Sequence, residues 1–472
     1  MDVQETTIKT QGNELPEGWK QTTLGEIGEY INGRGFRKTE WSDTGLPIIR
    51  IQNLTGSNKD WHYFNGELDE RHIVEKGDLL ISWSATLGAY LWTGPKAALN
   101  QHIFKVRSYV DKKIHYYLIQ HILSDLYRQA HGSGMVHITK TKFEKTKVWI
   151  PEKEQAQRHM VAKIEELFSH IDAGIENLKI AKDKLKQYRQ SVLKAAVTGE
   201  LTKEWREQNA DQIEPADQLL QRILKERRQR WEQQQLEQLK AKGKPPKNDK
   251  WKEKYKEPSL EGGAFFDSIP ASWATATVDA IASDVRYGSS SKTNDDASGV
   301  PVIRMGNIVE GELDYSNLKY LPTDHNEFPE LLLKGGDLLF NRTNSAELVG
   351  KTAVFVDIGK PVSLASYLIR VRVLDGIYSK FVAYFINSVI GRNWIKSCVS
   401  QNVGQANVNG TKLKALLVPI PPIDEQKEIV RIVEEKITAA DRLMAEIDTK
   451  LTQAQQQKQT ILASAFSGRL LR

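Results

Sequence analysis

Apolar positions along the chain follow two different periods, and the pair of periods occurs twice. Short apolar runs at 47–51, 79–83, 89–92 and 103–106, separated by Gly, Asn and Pro, predict β-strands. One amphipathic helix is predicted inside each strand-rich region, over "KKIHYYLIQHILSDLYRQAH" and over "YSKFVAYFINSVIGRNWIKSC". The period then changes. Val161, Ile164, Phe168, Ile171, Ile175, Leu178, Lys182, Leu185, Arg189, Val192 and Ala196 alternate steps of three and four. Val430, Val433, Ile437, Ala440, Met444, Ile447, Leu451, Ala454, Lys458, Ile461 and Ala465 do the same. Spacing of this kind, kept over about five heptads, predicts the seam of a left-handed coiled coil. The seam is imperfect at Lys182, Arg189 and Lys458.

The two regions are copies. "VLKAAVTGEL" (192–201) answers "ILASAFSGRL" (461–470), with Gly199 and Gly468 where a left-handed helix cap is wanted. "LPEGW" answers "IPASW", "GLPIIRIQNLTG" answers "GVPVIRMGNIVEG", "KGDLLISWS" answers "GGDLLFNRT", "HIFKVR" answers "YLIRVR" and "VWIPEKEQ" answers "VPIPPIDEQ", always in the same order. A unit of roughly 190 residues is duplicated. The expected fold class is α/β: two α/β modules joined by an antiparallel two-helix coiled coil, with an internal pseudo-two-fold repeat. The expected boundaries are a first module at 1–150, a helical spacer at 151–203, a basic helical insert or linker at 204–262, a second module at 263–420 and a second spacer at 421–472.

Charge changes this picture in one place. Thirteen Lys or Arg against five Asp or Glu lie between Arg222 and Lys256, so the rest of this +6 chain is slightly acidic. That segment reads as a helix running into a mobile linker, either a solvated connector or an arm near nucleic-acid phosphates. The single cysteine, Cys398, excludes an internal disulfide and a multi-cysteine zinc site. No 18-residue apolar run is present, and the expectation is a soluble, cytoplasmic protein.

Catalytic motifs are missing. "ELVGKT" lacks the first glycine of a phosphate loop, since position 345 is Ser345. "IPPIDEQ" lacks the flanking residues of an adenine-methylating pocket, and His115, His121, His131 and His137 show no ligand spacing. No catalytic residue, metal ligand or cofactor-binding residue is expected in this chain. The loops after the GDLL runs and after the inserted helices differ between copies while their frame repeats, and they are rich in Gly, Asn, Gln, Ser and Arg. These residue types are common in turns, yet Asn and Gln also pair with adenine and Arg with guanine in the major groove. Loop chemistry and repeat position select Arg50, Gln52, Asn53, Ser82, Trp83, Ser84, Gly134 and His137 in the first module. In the second they select Arg304, Asn307, Asn341, Arg342, Asn344, Gln401, Asn402, Gln405 and Asn407.

The order "LPEGW", strand-rich unit, "GDLL", "IPEKEQ", heptad helix and "AVTGEL", followed by the same series again, resembles the specificity subunit of type I restriction-modification enzymes. "EWREQN" with "ADQLLQRILKERR" also looks like a segment that follows the helical region in several members. The resemblance implies two target recognition domains, each reading one half of a bipartite double-stranded DNA target, with the helices fixing the gap. It implies a non-catalytic chain docked by two N6-adenine methyltransferase (modification) subunits that bring S-adenosylmethionine. Restriction subunits would bring ATP-driven translocation and magnesium-dependent cleavage. The long basic insert departs from that pattern. A coiled-coil scaffold that reads no DNA, or a stand-alone enzyme of unfamiliar motif, are the competing expectations.

Overall fold

A computed structural model describes residues 17–57, 60–129, 137–243, 246, 248–262, 269–345, 347–402 and 405–471. The chain divides into two compact units, Met1–Ile180 with Glu446–Arg472, and Ala181–Ala445.

Each unit is built on the same two sheets. In the first, a four-stranded antiparallel sheet runs in the order Gly28–Asn32, Ile103–Ser108, Leu79–Ser82, Gly88–Leu91. In the second, the order Ala282–Tyr287, Leu368–Val373, Leu338–Asn341, Thr352–Val354 repeats it. A second sheet, of four strands in the first unit and three in the second, contains a parallel pair, Leu46–Ile49 with Ala97–Leu99 and Val300–Ile303 with Ser363–Leu364. The GDLL strands are buried along their whole length, which explains their uninterrupted apolar run.

The Asp of GDLL is a frame residue. Asp78 Oδ2 accepts the Glu75 N–H (2.9 Å) and faces Lys105 Nζ at 3.2 Å. Asp337, fully buried, accepts the Lys334 N–H (2.7 Å) and takes a bidentate pair from Arg372 at 2.7 and 2.6 Å. Beside it Arg370, also buried, meets Asp284 at 2.6 Å and donates to the Glu330 and Leu332 carbonyls.

The inserted helices differ between the copies. The first is continuous, Lys112–Gln129. The second is two helices, Ser379–Asn387 and Val389–Cys398, where the periodicity predicts one. Buried Ser388 interrupts it: its backbone is extended and its hydroxyl accepts the Gly391 N–H, capping the second piece. Gly391 allows the sharp approach, because a Cβ there would lie 2.4 Å from the Phe385 carbonyl oxygen.

The long helices are Glu154–Val197 and Ile423–Phe466. Every seam position predicted from the 3,4 spacing is buried or partly buried, and most positions between them are exposed. In the first unit the start of one helix (Met160, Val161, Ile164) shares a core with the end of the other (Leu462, Ala465, Phe466), so the two segments run antiparallel. In the second unit Val192 to Val197 share a core with Ile429 to Val433, again antiparallel. The basic seam residues find compensation. Lys458 Nζ lies 4.8 Å above the Phe168 ring and pairs with Asp172, and Arg189 pairs with Asp441 (3.0 Å) and Glu310. Gly199 (φ +81°) and Gly468 (φ +72°) end the helices in the left-handed conformation, and Leu201 N–H and Leu470 N–H return to the Ala195 and Ser464 carbonyls.

Each helix start is anchored by a buried glutamine. Gln157 donates to the Pro151 carbonyl and accepts the Asp111 N–H; Gln426 donates to the Pro421 carbonyl and accepts the Tyr378 N–H. The equivalence is shifted by two residues from the sequence match of the "EQ" pairs, because Gln155 is exposed and Gln157 takes the anchoring role. Glu425 is fully buried and accepts from Thr202 Oγ1 (2.7 Å), Arg206 Nε (2.9 Å) and Trp273 Nε1 (2.9 Å).

The basic insert corrects the expectation of a helix trailing into a mobile linker. Its helix, Ala216–Ala241, is docked on the second unit through buried Ala216, Leu219 and Ile223, the last two contributing roughly 1.5–3 kcal/mol each by burial. Arg227 lies 3.7 Å from Asp279, and Arg230 pairs with Asp375. The following segment returns on it: Trp251 and Tyr255 pack against Trp231 at centroid distances of 6.2 and 5.3 Å, and Arg227 donates to the Tyr255 hydroxyl (2.8 Å).

Candidate nucleic-acid interface

The selected residues gather at one end of the strands in each unit, because the strand register brings their ends together. In the first unit Asn32 pairs with Phe104 and Ser82 with Ile103, so the residues after the first two strands and before Ile103 meet. Arg34 bridges to Asn100, whose N–H reaches the Ile49 carbonyl, which adds the end of the Leu46–Ile49 strand and Arg50. Ser84 bridges to His137. In the second unit Tyr287 pairs with Ile369 and Asn341 with Leu368, Ser289 bridges to Ala365, and the Ala365 N–H reaches Ile303 beside Arg304. Gly33 and Gly288 are required for this closeness: a Cβ at either would lie within 2.4 Å of two backbone carbonyl oxygens.

The Arg-x-x-Asn turns are the same object twice. Arg50 N–H donates to Asn53 Oδ1 (3.1 Å), and Asn53 Nδ2 donates to the Asp60 carbonyl (3.0 Å). Arg304 N–H donates to Asn307 Oδ1 (2.9 Å), and Asn307 Nδ2 donates to the Asp314 carbonyl (2.8 Å). Asn307 is buried and Asn53 partly so; both hold the loop that presents the arginine. Each guanidinium keeps a buried Nε with no partner among the described residues. Gln52, between Arg50 and Asn53 in the chain, is exposed.

After the GDLL strands the frame repeats and the side chains change. Trp83 N–H donates to the His102 carbonyl (3.3 Å) and its carbonyl accepts from Ile138 (3.2 Å); Arg342 N–H donates to the Tyr367 carbonyl (3.0 Å) and its carbonyl accepts from Val408 (2.9 Å). Trp83 stacks on Phe104 and lies within 6 Å of the His102 and His137 rings; His137 is exposed. Arg342 lies 5.0 Å over the Tyr287 ring. Trp83 Nε1, His102 Nδ1, Arg342 Nε and Arg34 Nη1 are buried with no hydrogen-bond partner among the described residues.

Other selected residues are inward. Ser82 donates to the Thr86 carbonyl (2.6 Å), and Ser84 is buried beside it. Asn341 is fully buried, its Nδ2 donating to the Leu348 carbonyl (3.3 Å). Asn344 Oδ1 accepts the Ser345 N–H and Asn407 Nδ2 donates to Thr343 Oγ1 (3.0 Å), on paired strands. Gln401, Asn402 and Gln405 lie on the neighbouring hairpin, Ser400–Asn402 with Gln405–Asn407. Gly134 falls outside the described residues.

Sequence reasoning missed Arg34, His102, Tyr287 and Tyr367. The aligned "HIFKVR" and "YLIRVR" already placed His102 opposite Tyr367, and "NGRG" opposite "YGSS" would have flagged Arg34 and the two close-approach glycines. His115 belongs to the core: it is fully buried, Nε2 lies 2.8 Å from the Tyr30 hydroxyl, Nδ1 lies 3.0 Å from Ser108 Oγ, and burial pushes its pKa down to about 3. Among the described residues no group of His, Cys, Asp and Glu could hold a metal ion, and no helix is long and apolar enough to cross a membrane.

Comparison with known proteins agrees with this duplicated layout. The family model described as "Type I restriction modification DNA specificity domain" matches residues 16–182 and again 279–453. The EcoKI specificity subunit of Escherichia coli strain K12 is 25% identical over 480 residues, covering 97% of this chain and 90% of that one. The EcoBI specificity subunit of Escherichia coli is 24% identical over 467 residues, covering 97% and 87%. A chain from a solved type I restriction-modification system superposes with a TM-score of 0.64 at 15% identity, covering 97% of this chain and all of that one, which speaks for the fold. With the family model matched twice, over most of both units, this chain belongs to the type I restriction-modification DNA specificity family.

Proposed function

We propose that the chain gives sequence specificity to a type I restriction-modification complex, each unit reading one half of a bipartite double-stranded DNA target. The observation that carries this is the pair Trp83 and Arg342: one backbone frame, pinned by equivalent hydrogen bonds, presents different side chains. A duplicated reader with divergent tips is what two different half-sites require. Unpartnered donors support the reading, since a buried N–H left unpaired costs about 1–3 kcal/mol and is tolerated where a ligand completes it. Among the described residues seven buried unpartnered side-chain atoms, on Arg34, Arg50, Trp83, His102, Arg304, Asn341 and Arg342, lie at these strand ends.

Arg50, Arg304, Arg342, Trp83, Gln52 and His137 are proposed to face DNA. Asn53, Ser82, Ser84, Asn307 and Asn341 hold the loops that present them, and Asn344, Gln401, Asn402, Gln405 and Asn407 form the second reader's hairpin side. The antiparallel helices set the unspecified gap and dock two modification subunits; restriction subunits join the same complex. The reacting adenine is methylated by those partners, which bring S-adenosylmethionine, while ATP and magnesium belong to the restriction subunits; this chain itself is non-catalytic. The test is a methylome of cells carrying this chain and its partners, before and after residues 15–150 are exchanged for a relative's. One half of the methylated sequence should change. Change in both halves, or methylation without a bipartite motif, would reject the proposal.

A further inference from the structure

The two tips that follow the GDLL strands rest on different supports. In the first unit Asn32 pairs with Phe104, and Trp83 stacks on the Phe104 ring at a centroid distance of 5.7 Å. In the second unit Tyr287 pairs with Ile369, and the Arg342 guanidinium lies 5.0 Å from the centroid of the Tyr287 ring. The registers make Asn32 equivalent to Tyr287 and Phe104 equivalent to Ile369, because Ser82 pairs with Ile103 where Asn341 pairs with Leu368. Tip and support have changed together. The ring under the tip stands on an inner strand in the first unit and on the edge strand in the second.

Tyr287 is itself held in place. Its hydroxyl accepts the Gly410 N–H at 2.7 Å, and Gly410 allows that approach, since a Cβ there would lie 2.9 Å from the hydroxyl oxygen. Two residues earlier, the Val408 N–H donates to the Arg342 carbonyl at 2.9 Å. One short segment therefore ties both the ring and the backbone of the residue above it. The ring is 43% exposed, too open for core packing to account for it.

Arg342 needs such a support. Among the described residues its guanidinium makes one hydrogen bond, a long one of 3.4 Å from Nη1 to the Ser366 carbonyl, and its Nε makes none. An arginine loses much rotamer freedom when it docks on a base, and a ring against its face removes part of that cost in advance. We infer that Tyr287 is a positioning residue for Arg342, its ring holding the guanidinium so that the remaining N–H edge meets a guanine in the major groove of one half-site. The inference rests on the proposed reading of DNA and adds the residue through which one of its contacts becomes selective.

The test uses the full chain in complex with its modification subunits. Equilibrium binding is measured on the cognate duplex and on duplexes altered one base pair at a time in each half. Tyr287→Leu removes the ring, Tyr287→Phe keeps it without the hydroxyl, and each is also combined with Arg342→Ala; equal unfolding midpoints show that the variants fold. Tyr287→Leu should weaken cognate binding about tenfold, with the loss confined to the base pair that Arg342→Ala relaxes. Tyr287→Phe should stay within about threefold of wild type, because the ring supplies the support. With Arg342→Ala already present, neither change should weaken binding further. Losses that simply add in the double variant would show Tyr287 acting independently of Arg342, and the inference would fall. It would fall equally if Tyr287→Leu bound like wild type, lost affinity for every sequence alike, or was matched in weakness by Tyr287→Phe, which would make the hydroxyl itself the contact. All of these outcomes leave the bipartite reading standing, whereas a wild-type complex with no half-site preference would overturn the proposed function and this inference with it.

Discussion

Trp83 and Arg342 occupy one position in two copies of one backbone frame, each tied through its N–H to residue 102 or 367 and through its carbonyl to residue 138 or 408. The frame fixes where a tip points, and the tip decides what it pairs with. Indole stacks and offers a single N–H, whereas guanidinium presents a fork suited to guanine O6 and N7.

Replacing Arg342 by Ala should therefore weaken binding to the cognate target by about 1–3 kcal/mol and relax selectivity in one half only. Competition binding with targets altered in either half checks this. Equal loss on every sequence would assign Arg342 to phosphate.

Removal of one heptad from each long helix shortens it by about 10 Å at 1.5 Å per residue, roughly three base pairs of B-DNA. The gap between methylated halves should shorten accordingly, or activity should vanish. An unchanged gap, read by single-molecule mapping of modified adenines, would rule out the helices as the spacer.

Asp337→Ala should destabilise the second unit by about 3 kcal/mol or more, because Arg372 and the Lys334 N–H lose their buried acceptor together. Thermal unfolding of the purified chain would show it. Asp78→Ala, whose partner Lys105 sits in a more open pair, should cost less.

His115 gives a pH dependence of definite sign. Its folded pKa, about 3, lies below the usual 6.5, so the unfolded chain takes up the proton first. Stability from this group is complete above pH 6.5 and falls toward pH 3, by up to about 1.4 kcal/mol per pH unit. Replacement by Gln should flatten the decline in unfolding midpoint between pH 7 and 5; an equally steep decline would exclude His115 as its source.

Some of this molecule is legible in its sequence because it depends on local periodicity. The duplication, the 3,4 seam from Val161 and from Val430, and the left-handed caps at Gly199 and Gly468 are set by residues within a few turns of one another. The "GDLL" repeat is visible as well, although its reason is not: Asp78 and Asp337 each accept the N–H three residues back and meet a cation from the neighbouring strand, Lys105 or Arg372.

What only the tertiary structure decided is which polar side chains belong to the frame and which are free. Asn341 and Arg342 are neighbours at the end of one strand, yet the first is fully buried with its Nδ2 on the Leu348 carbonyl while the second is only partly buried and lies over the Tyr287 ring. The anchoring glutamine sits at Gln157 where the matched text points to Gln155, and the segment after the insert helix reads as mobile linker until Arg227 donates to the Tyr255 hydroxyl. The physical reason is common to all three. A polar group's role is fixed by whether a partner stands within hydrogen-bond reach, and here those partners come from segments that only folding brings together.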